Sequence, residues 1–150
     1  MHSTLPASAR LFPQTPPNPL FLPMVQGKIR AGFPSPAADF QVKRLDLNEL
    51  LITHPAATFF WTVAGKSMFG AGIDEGDILV VNRALANNAR HGDIVVAEVD
   101  HDFTVKYLYR RAGQVQLRAA DATFPPIIFR DGQTMTICGV VTATIKRFRK

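Results

Sequence analysis

The chain is predicted to be mainly β: a curled, barrel-like domain with one short helix and an extended N-terminal arm. Three observations predict it. Short runs rich in β-branched and aromatic residues recur along residues 58–145, turn-forming clusters separate them, and only one stretch carries helix-capping chemistry. The head stands apart by composition: six of the eleven prolines fall within the first 30 residues, and no acidic residue precedes Asp39.

Residues 1–31 read as a Pro-rich, weakly basic arm. Proline fixes its own backbone and removes a donor, so the arm is expected to be extended and partly disordered alone. Leu20-Phe21-Leu22 and Met24-Val25 are apolar enough to dock on another surface. Residues 32–44 continue as an extended linker, because Phe33 and Ser35 each precede a proline and are pushed out of the helical region.

Residues 45–150 read as the folded domain. Asp46 can cap a helix, with Glu49 three residues on as in a capping box and Leu45 able to staple onto Leu50. Leu47, Leu50 and Leu51 share one face of that helix, and His54-Pro55 ends it. Strands are expected over 58–63, 78–81, 94–99, 103–109, 115–119, 127–129 and 135–145. The turns between them are marked by Asp74-Glu75-Gly76-Asp77, His91-Gly92-Asp93, Asp100-His101-Asp102, Ala112-Gly113 and Asp131-Gly132.

A length of 150 residues suits one domain with a sizeable core, and the 47% apolar content is that of an ordinary globular chain. No apolar run approaches the roughly 20 residues of a membrane span. Residues 1–10 lack the basic and apolar regions of a secretory leader, and the single Cys138 cannot form an internal disulfide. A cytoplasmic location is the expectation. The net charge of +5 is spread thinly: residues 1–31 hold three basic side chains, and the remainder fourteen basic against twelve acidic. The basic tail Lys146-Arg147-Phe148-Arg149-Lys150 reads as a solvated end. With no helix-turn-helix, finger or aromatic RNA-binding signature, direct sequence-specific DNA binding is not expected.

No metal or cofactor is expected either. His2, His54, His91 and His101 are scattered, and no Cys or His pair sits at ligand spacing. Cys138 lies in an apolar run and reads as a small buried hydrophobe. No nucleophile elbow or matching histidine marks a Ser-His-Asp triad. Ser67 differs from the other serines, Ser3, Ser8 and Ser35, because it follows an apolar strand and sits among glycines in Ala64-Gly65-Lys66-Ser67-Met68-Phe69-Gly70. Such a serine can expose its hydroxyl while backbone N–H groups face a developing oxyanion. An ordinary turn serine has the same local sequence.

Lys106 is its natural companion. It falls inside Phe103-Thr104-Val105-Lys106-Tyr107-Leu108, without an acidic neighbour, on a strand face shared with Thr104 and Leu108. A strand lysine can snorkel to water. If the face is buried, the ammonium is disfavoured, the pKa falls, and the neutral amine can take a proton from a serine.

At these residues the chain resembles the LexA/UmuD family of self-cleaving Ser-Lys proteases, peptidase family S24. The resemblance rests on Ala31-Gly32-Phe33-Pro34-Ser35-Pro36-Ala37-Ala38-Asp39, Gly65-Lys66-Ser67-Met68, Gly76-Asp77, His91-Gly92-Asp93-Ile94-Val95 and Phe103-Thr104-Val105-Lys106, in that order. It implies a mainly β protease domain with Ser67 as nucleophile, Lys106 as general base and the Ala31–Gly32 bond as substrate. It further implies cleavage promoted by a RecA filament on single-stranded DNA. The product, residues 32–150, would form a homodimer and join a UmuC-like DNA polymerase in error-prone translesion synthesis. Ala31 stands where UmuD has cysteine, as in repressors of the family that cut after alanine, and Lys66 stands where UmuD has an acidic residue. Other readings are a LexA-like repressor, which needs a helical DNA-binding module before the cleavage site, and a non-catalytic polymerase subunit. A signal-peptidase-like enzyme would share the dyad but normally carries a membrane anchor.

Overall fold

Strand-forming residues dominate the computed structural model, which describes residues 18–34, 41–129 and 132–149. The Pro-rich head up to residue 17, the Ser35-to-Asp39 part of the family motif and Asp131 lie outside the described residues. The chain divides into two units, Thr15–Thr53 and the part from His54 onward.

In the first unit, β1 (Leu22–Val25) pairs antiparallel with β2 (Val42–Leu45), Leu22 opposite Leu45 and Val25 opposite Val42. The Gln26 N–H donates to the Gln41 carbonyl at 2.7 Å, closing the ladder around the connecting segment. Ala31 and Gly32 lie in that connection, exposed and in a bend. Sequence reasoning expected extended chain on both sides of this bond but not their mutual pairing, because Pro23 and the charged pair Lys43-Arg44 hide the β signal. The helix α1 (Leu47–Leu51) follows β2 directly. The Asp46 carboxylate accepts from the Asn48 N–H at 3.1 Å, and such a cap contributes about 1 kcal/mol. Leu47 and Leu50 are largely exposed, so the apolar helix face seen in sequence stays at the surface.

In the second unit, seven strands form one sheet: β3 (Thr58–Thr62), β4 (Ile78–Asn82), β5 (Ile94–Val99), β6 (Asp102–Arg111), β7 (Gln114–Arg118), β8 (Ile127–Ile128) and β9 (Met135–Ile145). Their order is β3-β4-β9-β5-β6-β7-β8, and every pairing is antiparallel. The mainly β expectation holds, and all seven expected strands are present. The sheet does not close into a barrel: β3 and β8 are its two edges among the described residues. Strand β9 runs between β4 and β5 and carries a bulge against each, at Val80/Val81 and at Val96/Ala97. Bulges of this kind bend a strand and increase its twist.

Both faces of the sheet bury apolar side chains. Val63, Met68, Ile73, Leu79, Val81, Val96 and Cys138 form one cluster; Ala89, Val95, Ala97, Leu108, Leu117 and Val140 form the other. Adjacent Val95 and Val96 therefore serve opposite faces, which explains why β4 and β5 read as continuous apolar runs instead of alternating ones. Each fully buried leucine, Leu108 and Leu117 among them, contributes about 1.5–3 kcal/mol. The sheet leaves no room at Gly139, where a Cβ would meet Val81 Cγ1 at 2.7 Å.

Candidate active site

Ser67 is held by what precedes and follows it. After β3, Val63 exchanges two backbone hydrogen bonds of 2.8 Å with the 74–77 turn: its N–H donates to the Asp77 carbonyl, and its carbonyl accepts from the Gly76 N–H. Gly65 then adopts φ +88°, a left-handed conformation that favours glycine and turns the chain out of the strand. Met68, the residue after Ser67, is an anchor only 2% exposed, and its carbonyl accepts from Ala71 and Ile73 N–H. The Ser67 carbonyl accepts from the Asp121 N–H at 3.0 Å. Among the described residues, no acceptor takes the N–H of Ser67 or Met68.

Lys106 reaches this serine from the middle of β6. Its Nζ lies 3.0 Å from Ser67 Oγ, 2.9 Å from Thr104 Oγ1 and 3.1 Å from the Val105 carbonyl oxygen. A neutral amine has two N–H donors and one lone pair, and these three partners fit that inventory. As an ammonium, Nζ donates to all three; as a neutral amine it would keep two of these bonds as donor and turn its lone pair to the third partner, which for Ser67 is a hydroxyl able to donate. Burial holds the Lys106 pKa below the ordinary lysine value, and among the described residues no carboxylate pairs with it to oppose that shift.

The pair opens into a cleft of about 220 Å³, whose lining includes Trp61, Val63 and Phe103 beside Ser67, Thr104 and Lys106. The Trp61 and Phe103 rings meet at 5.0 Å between centroids and form an aromatic wall.

A second lysine supports the same segment from below. Lys146, just past β9, donates to the carboxylates of Asp74 and Asp77, and Asp77 Oδ2 also accepts from the Asp74 N–H at 2.9 Å. Asp77 is only 5% exposed. Its pKa is lowered, first by the Lys146 hydrogen bond and then by the Asp74 N–H, while that of Lys146 is raised by hydrogen bonds to Asp74 and then Asp77. This cluster fixes the 74–77 turn, which in turn fixes Val63 at the approach to Ser67.

Of the residues singled out in sequence, Ser67 and Lys106 come together, 39 positions apart. Ala31 and Gly32 belong to the first unit and are exposed there. Thr104 was placed on the Lys106 face by strand alternation, but its contact with Nζ needed the fold. Asp77 and Lys146 were missed as partners: one was read as turn chemistry and the other as solvated tail, and nothing local joins residues 69 positions apart. Asp121 was missed too, although its Asx turn with Thr123 is a local feature. His54 bonds the Asn82 side chain and His91 accepts from the Arg110 N–H, while Cys138 is buried. Among the described residues no group of three or more His, Cys, Asp or Glu side chains is placed to hold a metal, and no helix is long and apolar enough to cross a membrane.

The fold and the cleft are those of a β domain built around a serine and a lysine in direct contact, without a histidine. The Peptidase S24-like family model matches residues 23–142, and the chain belongs to that family of self-cleaving serine peptidases. It is 44% identical over 128 residues to Protein ImpA of Salmonella typhimurium, covering 85% of this chain and 86% of that protein. It is 42% identical over 125 residues to Protein MucA of Escherichia coli, covering 83% and 84%. The LexA repressor of Dechloromonas aromatica is 42% identical over 109 residues, which is 73% of this chain and 52% of the repressor.

Proposed function

We propose that this protein is a self-cleaving serine protease of the DNA-damage response, with Ser67 as nucleophile, Lys106 as general base and the Ala31–Gly32 bond as substrate. The observation that carries the reading is the 3.0 Å contact between Ser67 Oγ and the Nζ of a lysine that burial drives toward its neutral form. In the reaction, Ser67 Oγ bonds to the Ala31 carbonyl carbon and its proton passes to Lys106 Nζ. The protonated lysine then gives that proton to the Gly32 nitrogen as the C–N bond breaks. Water, deprotonated by the same amine, hydrolyses the Ala31 ester and regenerates Ser67. The N–H groups of Ser67 and Met68 are the donors best placed in sequence to hold the oxyanion.

Residues 1–31 are then the arm that is removed, 32–44 the extended linker and 45–150 the protease domain. A tethered substrate makes the reaction effectively unimolecular, so no broad cleft is needed and the rate follows how often the bond is docked. A RecA filament on single-stranded DNA that favours the docked state would switch cleavage on by population shift. The processed chain would act as a homodimer with a UmuC-like translesion polymerase, a reading supported by the ordered family motifs and by similarity to ImpA and MucA. The test is intact mass after incubation with RecA, single-stranded DNA and a nucleoside triphosphate. A single cut giving a product that begins at Gly32, absent in Ser67→Ala, supports the reading. An uncut wild-type chain, or a cut that survives Ser67→Ala, overturns it.

A further inference from the structure

On the β6–β7 hairpin, far along β6 from Phe103, one surface carries hydrogen-bond donors and no carboxylate. Register places Tyr109 opposite Gln116, Arg111 opposite Gln114 and Tyr107 opposite Arg118, so Tyr109, Arg111, Gln116 and Arg118 share one face. The Arg118 guanidinium carbon lies 3.7 Å from the Tyr109 ring centroid. Its Nε and one terminal nitrogen both donate to Gln116 Oε1, at 3.1 and 3.0 Å, which locks the guanidinium plane. The His91 ring stands edge-on to Tyr109 at 5.1 Å. Because His91 Nδ1 accepts from the Arg110 N–H at 3.1 Å, its proton sits on Nε2, which is left as a donor. Among the described residues no carboxylate makes an ion pair with Arg90, Arg111 or Arg118.

Surface arginines usually find carboxylates or wave in solvent; this one is immobilised and left without a counter-charge. We propose that this face binds single-stranded nucleic acid without regard to sequence. Arg118 offers the outer plane of its guanidinium to an unstacked base and its remaining N–H groups to a phosphate. Arg111 lies about four strand residues, roughly 13 Å, further along the same face and takes a phosphate further along the same nucleic-acid strand. The flat stacked cation is what favours a nucleic acid over an acidic peptide, which has no ring to lay against it. Sequence alone did not mark the site because Tyr109 and Arg118 come from different strands and the net charge of the domain is small. None of Tyr109, Arg111, Gln116 and Arg118 lines the Ser67–Lys106 cleft.

The test is fluorescence anisotropy of a labelled oligothymidylate with the full-length chain over a range of salt, comparing Arg118→Gln, Tyr109→Leu and Arg111→Gln with Arg149→Gln in the basic tail. Arg118→Gln is expected to weaken binding about tenfold and to reduce the salt slope by about 0.7, the value for one lost phosphate contact. Tyr109→Leu weakens binding with the slope kept, and Arg149→Gln changes little. Arg111 is exposed and its side chain makes no hydrogen bond or ion pair among the described residues, so its variant keeps the test valid if Arg118→Gln fails to fold. No binding at low salt, or equal losses in the hairpin and tail variants, overturns the proposal. So does a polyglutamate peptide whose binding depends on Arg118 while oligonucleotide binding does not.

Discussion

Lys106 and Lys146 serve the same sheet, the first on β6 and the second just beyond β9, and both are partly withdrawn from water. Lys106 meets a hydroxyl, a second hydroxyl and a carbonyl, none of which carries charge. Lys146 meets two carboxylates. Burial acts against the charged form in both, but only Lys146 has the opposite charge that outweighs it, so the two pKa values move in opposite directions. A lysine in this sheet is therefore shifted toward its neutral or its charged form according to its partners. The structure separates the two roles: one lysine touches the serine, and the other holds the turn that holds the strand end before it.

Swapping or deleting each lysine tests that separation. The largest effect is expected on chemistry. Lys106→Ala should slow self-cleavage by about 10²–10⁴-fold, as loss of a general base does, with circular dichroism and melting showing an intact fold. Ser67→Ala should abolish it. Wild-type rates in either variant, read by intact mass over time, would mean that the contact is incidental.

Next in size is the pH dependence of the unstimulated self-cleavage, followed without RecA. Only the neutral amine is a base, so the rate should rise with pH through the folded-state pKa of Lys106, below the ordinary lysine range, and then level off. A rate that is flat from about pH 6 to 11 with the fold intact would count against a titrating lysine.

Stability should then respond in opposite senses at the two sites. Lys146→Met leaves the buried Asp77 carboxylate without its cation, so the melting temperature should fall clearly at neutral pH, and self-cleavage should fall less than in Lys106→Ala. The pH signs follow from the directions of shift. The lowered pKa of Asp77 contributes stability above its unfolded value, which is lost as pH falls through the folded one. The raised pKa of Lys146 contributes stability below its unfolded value, which is lost as pH rises through the folded one. Melting curves of Asp77→Asn should therefore lack part of the acid limb seen in the wild type.

The smallest effect is at Lys106 itself. Its folded pKa is lowered, so the folded state prefers the neutral amine while the unfolded chain takes the proton, and stability rises with pH across the interval between the two values. Lys106→Met should raise the melting temperature slightly at neutral pH, and the gain should shrink as pH climbs toward the unfolded value. Equal responses of Lys106→Met and Lys146→Met would collapse the distinction between the two lysines.

Much of this was legible in the residues. Strand limits at 94–99 and 135–145 coincide with the fold, since β-branched runs bounded by Gly-Asp and Asp-Gly turns carry their own signal. Asp46 caps its helix as its side chain predicts, though through Asn48 and with the leucine face left exposed. Pairing of β1 with β2 was not legible, because a strand without alternation acquires its identity only from its partner.

What the sequence by itself determined was chemical kind: a mainly β domain, a serine at the end of a strand, a lysine inside another with no acid beside it, and an arm set apart by proline. Tertiary structure alone decided the outcomes that depend on distance between remote residues. Strand order brought Ser67 and Lys106 into contact, set Lys146 against Asp77 and left the sheet open between β3 and β8. Local sequence carries propensity, capping and turn chemistry because those energies arise among neighbours. Whether a lysine is neutral or charged depends on desolvation and on the groups it meets across the sheet, and these exist only once the chain has folded.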